Sequence, residues 1–154
     1  MALHRDYKEL LEAFAAAKVD YLIVGGYAVA HHARPRYTKD IDLLIRPDRG
    51  NIARAVSALV QFGAPEGVTA SLKDAGADDI VWMGHPPLRV DILQSIPGVD
   101  FDAAWARRID TVWDEVHVHV ISRSDLIRAK QASGRPQDML DVEQLLKSGE
   151  SDEE

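Results

Sequence analysis

The sequence contains no cysteine, no long uninterrupted apolar segment and no excess of basic residues. The absence of cysteine excludes a disulfide framework and a thiolate metal site. No stretch has the pattern of a signal peptide or a membrane span, so we expect a soluble, cytoplasmic protein without a membrane partner. The formal net charge of -7 disfavours broad nucleic-acid binding through a basic surface and leaves room only for a local basic groove.

Several enzyme motifs and any internal repeat are also missing. The sequence has no Ser-His-Asp arrangement and no Walker-type lysine loop. The adjacent His31 and His32 would point about 100° apart on a helix, so they do not form a two-histidine metal face. With 154 residues, of which 46% are hydrophobic, the chain is long enough for one domain with a core and too short for two.

The pattern of apolar residues predicts an α/β (α+β) fold, in which helices flank a mixed sheet. Predicted strands cover residues 21–24, 40–45, 80–83, 88–93, 111–116 and 118–121. Predicted helices cover residues 6–18, 27–33, 51–62, 102–108, 122–133 and 137–146. Residues 63–79 give no clear signal and are predicted to be loop with at most one strand. Residues 84–87 are predicted to form a hairpin turn.

The domain boundaries follow from these elements. We predict one domain over residues 1–147, with a core of about 20–121 and a C-terminal helical hairpin of about 122–147. The acidic residues 148–154 are predicted to be a disordered tail. The three tryptophans, at positions 82, 105 and 113, are expected to pack in the core.

The most informative stretch joins a glycine pair to an Asp-Ile-Asp motif. Side chains alternate along a strand, so Asp40 and Asp42 point to one face while Ile41 points into the core. Two carboxylates in this arrangement offer hard oxygen ligands suited to Mg²⁺. Gly25 and Gly26 follow an apolar run and can expose backbone N–H groups to a phosphate where a helix begins. A glycine pair also marks many ordinary tight turns, so both interpretations stay open.

A third carboxylate, Asp91, lies within the apolar segment Val90–Leu93. A carboxylate in such a setting needs a partner. A metal ion is one natural partner, and a salt bridge with Arg89 is the other. The sequence does not choose between them.

Taken together, these residues resemble the nucleotidyltransferase superfamily, which includes DNA polymerase beta and the antibiotic-modifying nucleotidyltransferases. The shared pattern is an apolar strand, a glycine pair, a helix, Asp-x-Asp and a later carboxylate. The resemblance implies a mixed-sheet catalytic core that transfers NMP from an NTP to a hydroxyl acceptor. It implies that Asp40, Asp42 and Asp91 are catalytic and hold two Mg²⁺ ions.

In the same resemblance, the backbone of Gly25 and Gly26 holds the triphosphate. Thr38 would touch phosphate or position the Asp-containing strand.

The C-terminal segment, residues 126–141, resembles the ending of the AbiE-type toxin nucleotidyltransferases and their uncharacterised relatives. That resemblance implies an active-site lysine at Lys130, a phosphate ligand, and a downstream aspartate at Asp138 or Asp141. Arg135 is a further candidate. The alternative is structural, because Asp138 near a helix start complements the helix dipole and can pair with Arg135 or Lys130.

The predicted function is therefore a Mg²⁺-dependent nucleotidyltransferase related to toxin–antitoxin systems. Its acceptor would be RNA, a protein or a small molecule, and a homodimer or operon partner could supply the missing acceptor surface. The alternative is a non-catalytic nucleotide-binding or antitoxin-like regulatory protein on the same fold, which the intact set of carboxylates disfavours. A metal-dependent hydrolase is disfavoured because clustered histidines are missing.

Overall fold

Strands and helices are interspersed along the chain, as the sequence predicts. The computed structural model describes residues 1–35, 38–84 and 88–152. The strands are β1 (Tyr21–Val24), β2 (Asp40–Ile45), β3 (Ile80–Met83), β4 (Arg89–Leu93), β5 (Ile109–Trp113) and β6 (Val116–Val120). The helices are α1 (Arg5–Ala16), α2 (Gly25–His32), α3 (Arg49–Phe62), α4 (Glu66–Asp74), α5 (Phe101–Ala106), α6 (Arg123–Ser133) and α7 (Pro136–Asp152). The predicted mixed α/β fold is confirmed.

The six strands form one mixed sheet in the order β3-β4-β2-β1-β6-β5. Strands β2 and β4 pair in parallel, as do β1 and β6, and the remaining neighbours are antiparallel. Because β1 runs against β2, the last residue of β1, Val24, lies beside Asp42. Because β4 runs with β2, Asp91 lies on the other side of Asp42. The sheet thus brings three separate segments of the sequence to one place.

The two faces of β2 have different surroundings. Ile41, Leu43 and Ile45 are fully buried and belong to the hydrophobic core, together with the apolar side of α1. Asp40 and Asp42 alternate with them and therefore lie on the opposite face. The burial of one face fixes which side chains the other face presents.

A buried asparagine ties β1 to β2 at the end of the sheet remote from the carboxylates. Asn51, in the first turn of α3, is fully buried. Its side-chain oxygen accepts from the N–H of Asp20 at 2.7 Å, and its amide donates to the carbonyls of Asp20 at 2.9 Å and Arg46 at 3.0 Å. Its own N–H donates to the Asp48 carboxylate at 2.7 Å, which caps the helix. One side chain thus hydrogen-bonds to three backbone groups, of which the Asp20 carbonyl also accepts from the N–H of Arg46 at 3.0 Å.

Three sequence predictions differ from the structure. The segment 63–79 contains the short helix α4, which the sequence signal missed because only Thr69 and Leu72 of this helix are buried. The second difference concerns the C-terminus, where helix α7 continues to Asp152. Residues 148–152 are therefore helical where a disordered tail was predicted. Gly149 alone does not end the helix, and the Ser148 hydroxyl donates to the carbonyl of Gln144 at 3.1 Å.

The third difference concerns Trp82, which is 55% exposed on the edge strand β3 and does not pack in the core. Trp113 is buried as predicted, and Trp105 is partly buried against the core. The central residues of the predicted hairpin turn, 85–87, lie outside the described residues. Within the described part of the chain, no helix has both the length and the apolar composition needed to cross a membrane.

We expect Asn51→Ala to lower the free energy of unfolding by roughly 3 kcal/mol, because it removes a fully buried side chain and its three hydrogen bonds to Asp20 and Arg46. Urea denaturation with an unchanged m-value would measure this loss. Val60→Ala, at a 59% exposed position of the same helix, is the matched control and should change stability by less than ~0.5 kcal/mol. Equal effects of the two substitutions would contradict the role given to Asn51.

Candidate active site

The carboxylates lie in one cleft between the sheet and the C-terminal hairpin of α6 and α7. The cleft has a volume of about 370 Å³. Most of the residues singled out from the sequence line it: Gly25, Asp40, Asp42, Asp91, Lys130, Arg135 and Asp138. Gly26, Thr38 and Asp141 are not among its lining residues. Gly26 lies in the first turn of α2, Thr38 precedes β2, and Asp141 is buried behind Lys130.

Position 25 requires a glycine because the Asp42 side chain fills the space next to its α-carbon. Its φ of +67° lies in the left-handed region, where a side chain is strained. A Cβ atom at this position would lie only 2.0 Å from Asp42 Oδ2. The backbone of Gly25 and the carboxylate of Asp42 therefore touch at a distance that only glycine permits.

Helix α2 begins at Gly25 without a side-chain cap. Val24 is its N-cap residue, and its apolar side chain makes no capping hydrogen bond. The first N–H groups of a helix have no partner within the helix and carry the positive end of its dipole. The glycine pair thus places a helix N-terminus, of the type that binds phosphate, beside the carboxylates.

Asp42 and Asp91 form a close pair of carboxyl groups. They are directly opposite each other on the parallel strands β2 and β4. Burial, the hydrogen bond with Asp91 and the negative charges of Asp91 and Asp40 together raise the pKa of Asp42 to about 7, while Lys130 opposes the shift. The two groups therefore hold a proton that an ordinary aspartate would release well below neutral pH.

Arg89 pairs with the third carboxylate. Its Nε lies 2.8 Å from Asp91 Oδ1, and the Asp91 side chain is only 16% exposed. The structure thus shows one of the two partners considered from the sequence, the salt bridge with Arg89. Asp91 also faces Asp42 in the cleft, and a metal ion as its partner stays a prediction. In residues 1–35, 38–84 and 88–152, no three His, Asp or Glu side chains are arranged as a ready-made metal site. The expected convergence of three carboxylates on a metal therefore stays a prediction.

The donor set nevertheless suits a divalent cation. All the candidate ligands are carboxylate oxygens, which Mg²⁺ prefers. Asp42 and Asp91 are close enough to share a proton, and a cation would relieve the same repulsion. The absence of a side chain at Gly25 lets the Asp42 carboxylate lie directly against the backbone where α2 begins. These residues fit a bound metal ion once Arg89 releases Asp91.

Lys130 lies at the centre of an ionic cluster in the C-terminal hairpin. Its Nζ is 3.3 Å from Asp138 Oδ1 and 3.0 Å from Asp141 Oδ2, and both aspartates are about 2% exposed. Arg135 Nε lies 2.8 Å from Asp138 Oδ2, and this guanidinium, followed by Lys130, holds the pKa of Asp138 well below its usual range. The cluster fixes the Lys130 ammonium group in the wall of the cleft.

Tyr7 is a structural contributor that the sequence did not reveal. Its hydroxyl accepts from the N–H of Arg89 at 3.0 Å and donates to the carbonyl of Lys39. Burial raises its pKa to about 12, so the hydroxyl stays protonated and can donate. Tyr7 thus joins the starts of β2 and β4, next to Asp40 and two residues before Asp91. In the sequence it looks like any other apolar-face residue of α1.

An apolar wall on the β3–β4 side of the cleft was also missed. It is formed by Ile80, Leu93, Ile96 and Pro97. It lies beyond Asp91, on the side away from Gly25, because β3 and β4 lie on that side of β2. The hairpin register, which the sequence alone does not give, determines this placement.

We expect Asp42→Asn to stabilise the metal-free protein at pH 8 by roughly 1–3 kcal/mol. The folded-state pKa of Asp42, about 7, lies above the ordinary value of 3.8, so the folded protein holds this proton more tightly than the unfolded chain. The resulting stability is fully present below pH 3.8 and is lost as the pH rises through 7. Asparagine keeps a hydrogen bond without the charge.

Thermal unfolding in EDTA between pH 4 and pH 8 would test this expectation. The gap between wild type and Asp42→Asn should widen as the pH rises. Asp74→Asn, at an exposed aspartate at the end of α4, is the control and should show no such widening. A gap that is constant with pH would contradict the raised pKa.

We expect Gly25→Ala to destabilise the protein more than Gly63→Ala. Both glycines have positive φ, but a Cβ at Gly63 would meet no atom within 4 Å. Gly63→Ala should therefore cost only the left-handed conformation, about 1 kcal/mol, while Gly25→Ala also displaces the Asp42 carboxylate. Urea denaturation of both variants would measure the difference. The difference should disappear when Asp42→Ala is combined with Gly25→Ala, and its persistence would show that Asp42 is not the cause.

Comparison with known proteins gives a family and a fold. Residues 1–152 match the family described as "nucleotidyltransferase of unknown function" (DUF6036). A search of curated proteins found no match.

Solved structures of three nucleotidyltransferases or related proteins share the fold. An antigenic nucleotidyltransferase-like protein from Paracoccidioides brasiliensis is 15% identical, with a TM-score of 0.53 over 96% of this chain and 78% of that chain. ANT(2")-Ia in complex with adenylyl-2"-tobramycin is 16% identical, with a TM-score of 0.56 over 91% and 85%. The lincomycin-bound lincosamide adenylyltransferase LnuA is 17% identical, with a TM-score of 0.50 over 94% and 96%.

The predicted membership of the nucleotidyltransferase superfamily is confirmed, whereas the likeness to AbiE-type toxins stays a prediction. The family match spans the sheet, the cleft and both helices of the C-terminal hairpin. The chain therefore belongs to the nucleotidyltransferase family of unknown function, DUF6036.

Proposed function

We propose that the protein transfers a nucleoside monophosphate from an NTP to a hydroxyl acceptor, in a reaction that depends on Mg²⁺ held by Asp40, Asp42 and Asp91. The observation that carries this proposal is the contact between Asp42 and Asp91 beside the bare α-carbon of Gly25. A pair of carboxylates next to an uncapped helix N-terminus offers sites for a cation and for a phosphate within one cleft.

The triphosphate would lie along the first turn of α2. The N–H groups of Gly25 and Gly26 would donate to its phosphate oxygens. Lys130, on the facing wall of the cleft, would add a positive charge. Arg135, with a side chain that is 74% exposed, could reach the outer phosphates, while Asp138 and Asp141 hold the Lys130 ammonium group.

The transfer itself requires one bond to form and one to break. The acceptor oxygen forms a bond to the α-phosphorus, and the bond from that phosphorus to the pyrophosphate oxygen breaks, with its electron pair leaving on pyrophosphate. The hydroxyl proton passes to Asp91, the carboxylate farthest from the phosphate-binding glycines. Bound Mg²⁺ would neutralise charge on the leaving group and favour ionisation of the hydroxyl. Thr38 would act indirectly, by positioning the start of β2.

The ionic cluster of the C-terminal hairpin supports a relation to the toxin–antitoxin branch. Lys130 contacts both candidate aspartates, Asp138 and Asp141, as a shared lysine–aspartate motif would require. RNA, a protein or a small molecule would be the acceptor, and a homodimer or an operon partner would complete the acceptor surface. We place this reaction in the cytoplasm.

A second candidate function is a nucleotide-binding regulator without catalysis. The salt bridge between Arg89 and Asp91 favours it, because a guanidinium at this carboxylate occupies the position of a metal ion. In that case the protein would bind NTP at α2 and transfer nothing.

Incubation with each α-labelled NTP, Mg²⁺ and total RNA or lysate tests the transferase. We expect label transfer that EDTA abolishes and that Asp42→Asn or Asp91→Asn lowers by at least ~100-fold. Asp74→Asn is the exposed control and should retain the wild-type rate.

Isothermal titration calorimetry separates the two candidates. Binding of Mg²⁺ and NTP without any transfer would favour the regulator over the enzyme. Absence of both metal and NTP binding would overturn the whole assignment of the cleft.

A further inference from the structure

The acceptor side of the cleft carries an exposed tryptophan in register with the carboxylates. Trp82 on β3 is directly opposite Asp91 on β4, and Asp91 is directly opposite Asp42 on β2. Residues that are directly opposite on neighbouring strands share a face of the sheet. Trp82, Asp91 and Asp42 therefore form one row across three strands, with Val24 and the start of α2 at its far end.

This row assigns the two substrates to opposite ends. If the triphosphate lies at Gly25, the acceptor hydroxyl has to approach from the side of Asp91. The next strand in that direction is β3, at a spacing of ~4.8 Å. Its residues on this face of the sheet are Ile80 and Trp82, which are 56% and 55% exposed. Ile80 lines the cleft, and Trp82 lies next to it on the same face, outside the lining residues.

The exposed indole is held in place by a cation. The guanidinium of Arg89 lies 4.7 Å from the centre of the Trp82 ring, and the same Arg89 pairs with Asp91. Ile80 and Trp82, two residues apart on one face of β3, together form an exposed apolar patch, and such patches mark binding surfaces. A tryptophan beside an arginine offers a planar platform of the kind on which unpaired nucleobases stack.

We propose that Trp82 is the acceptor-binding residue, and that the acceptor is an RNA end whose unpaired terminal base stacks on the indole while its ribose hydroxyl faces Asp91. This proposal rests on the proposed transferase function. Trp82 and Asp91 are only one strand spacing apart, ~4.8 Å, so a base on the indole and a ribose hydroxyl at Asp91 can belong to one nucleotide. Ile80 and the wall formed by Leu93, Ile96 and Pro97 contact the sugar and flank the base.

The exposure of the Trp82 side of the cleft favours the end of an RNA strand over a free nucleoside as the acceptor. Pockets for small molecules enclose most of the surface of their ligand. Trp82 lies on an edge strand and has more than half of its surface exposed, so it could cover one face of a base and no more. A terminal nucleotide gains further binding energy from the rest of its strand. The net charge of -7 is consistent with recognition of the end instead of a long phosphate backbone.

Steady-state transfer to a short single-stranded oligoadenylate with a free 3′ hydroxyl tests the proposal. We expect Trp82→Ala to raise the acceptor KM by about tenfold or more, equivalent to ~1.4 kcal/mol and within the range for base stacking. The KM for NTP should stay within twofold, and Trp82→Phe should restore most of the acceptor affinity. Val112→Ala, at a 50% exposed position of the opposite edge strand β5, is the matched control and should leave both KM values unchanged.

Two alternative acceptors test whether the protein recognises the unpaired end of an RNA chain. A blunt duplex of the same sequence, whose terminal base stays in the helix, should be a poor acceptor, as should free adenosine. Transfer to adenosine as efficient as to the oligonucleotide, or transfer only to a protein, would overturn the assignment to an RNA end. An unchanged acceptor KM in Trp82→Ala would overturn the role of the indole.

A binding measurement separates this proposal from the transferase itself. Titration of the oligoadenylate into the protein without NTP should quench tryptophan fluorescence in the wild type and not in Trp82→Phe. Quenching that persists in Trp82→Phe comes from Trp105 or Trp113 and would refute the platform. If the wild type transfers nothing to any acceptor, the transferase proposal fails, and this titration still decides whether Trp82 binds a base.

Discussion

The register of β2 between β1 and β4 is the constraint on which the rest of the site depends. It places Asp42 between Val24 and Asp91, and a shift by one residue would exchange Ile41 for the carboxylates in the cleft. The buried face of β2 opposes such a shift because it belongs to the core.

Two polar side chains from outside the sheet hold this register at its two ends. Asn51 joins Asp20 to Arg46, where β1 begins and β2 has ended. Tyr7 joins Lys39 to Arg89 at the other end, where β2 and β4 begin. Each adds side-chain hydrogen bonds between neighbouring segments at an end of the strand pairing. Both come from helices that otherwise contribute apolar residues to the core, so packing and register are fixed by the same elements.

The site concentrates negative charge and compensates for it locally. Asp42 is protonated far above the ordinary range because Asp91 and Asp40 lie beside it in a buried position. Arg89 and Lys130 provide the compensating charges, from β4 and from α6 respectively. Such an arrangement stores electrostatic energy in the folded state, which is a common cost of a functional site. In the C-terminal hairpin, by contrast, the buried aspartates Asp125, Asp138 and Asp141 each pair with at least one cation.

The sequence predicted the parts of the site that lie on regular strands. The alternation in Asp40–Ile45 and the embedded Asp91 gave the correct strands, because each pairs a polar residue with a strongly apolar neighbour. The sequence alone did not predict the pairing partners of each strand, since these depend on which strands become adjacent in the fold. For this reason Trp82 was expected in the core, although it lies on the edge of the sheet in line with Asp91.

Helix α4 was missed for a related reason. Its apolar face is too small to produce a helical pattern, and contacts with β3 and α3 stabilise it instead. Tyr7 could not be distinguished from its apolar neighbours in the sequence. Its role depends on the carbonyl of Lys39 and the N–H of Arg89, which are both remote from it in sequence. The C-terminal helix is longer than predicted, since charge composition alone does not report the local contacts of Ser148.

The double contact of Arg89 has a thermodynamic consequence. One guanidinium touches both the Trp82 ring and the Asp91 carboxylate, so it cannot respond to a ligand at one of them without changing the other. A cation at Asp91 would release the guanidinium, and a ring stacked on Trp82 would alter its position over the indole. If the protein binds a metal ion and an acceptor at these positions, the two binding equilibria would be linked, and the linkage would be equal in both directions. In this protein, heterotropic cooperativity between metal and acceptor would require no movement larger than that of one side chain.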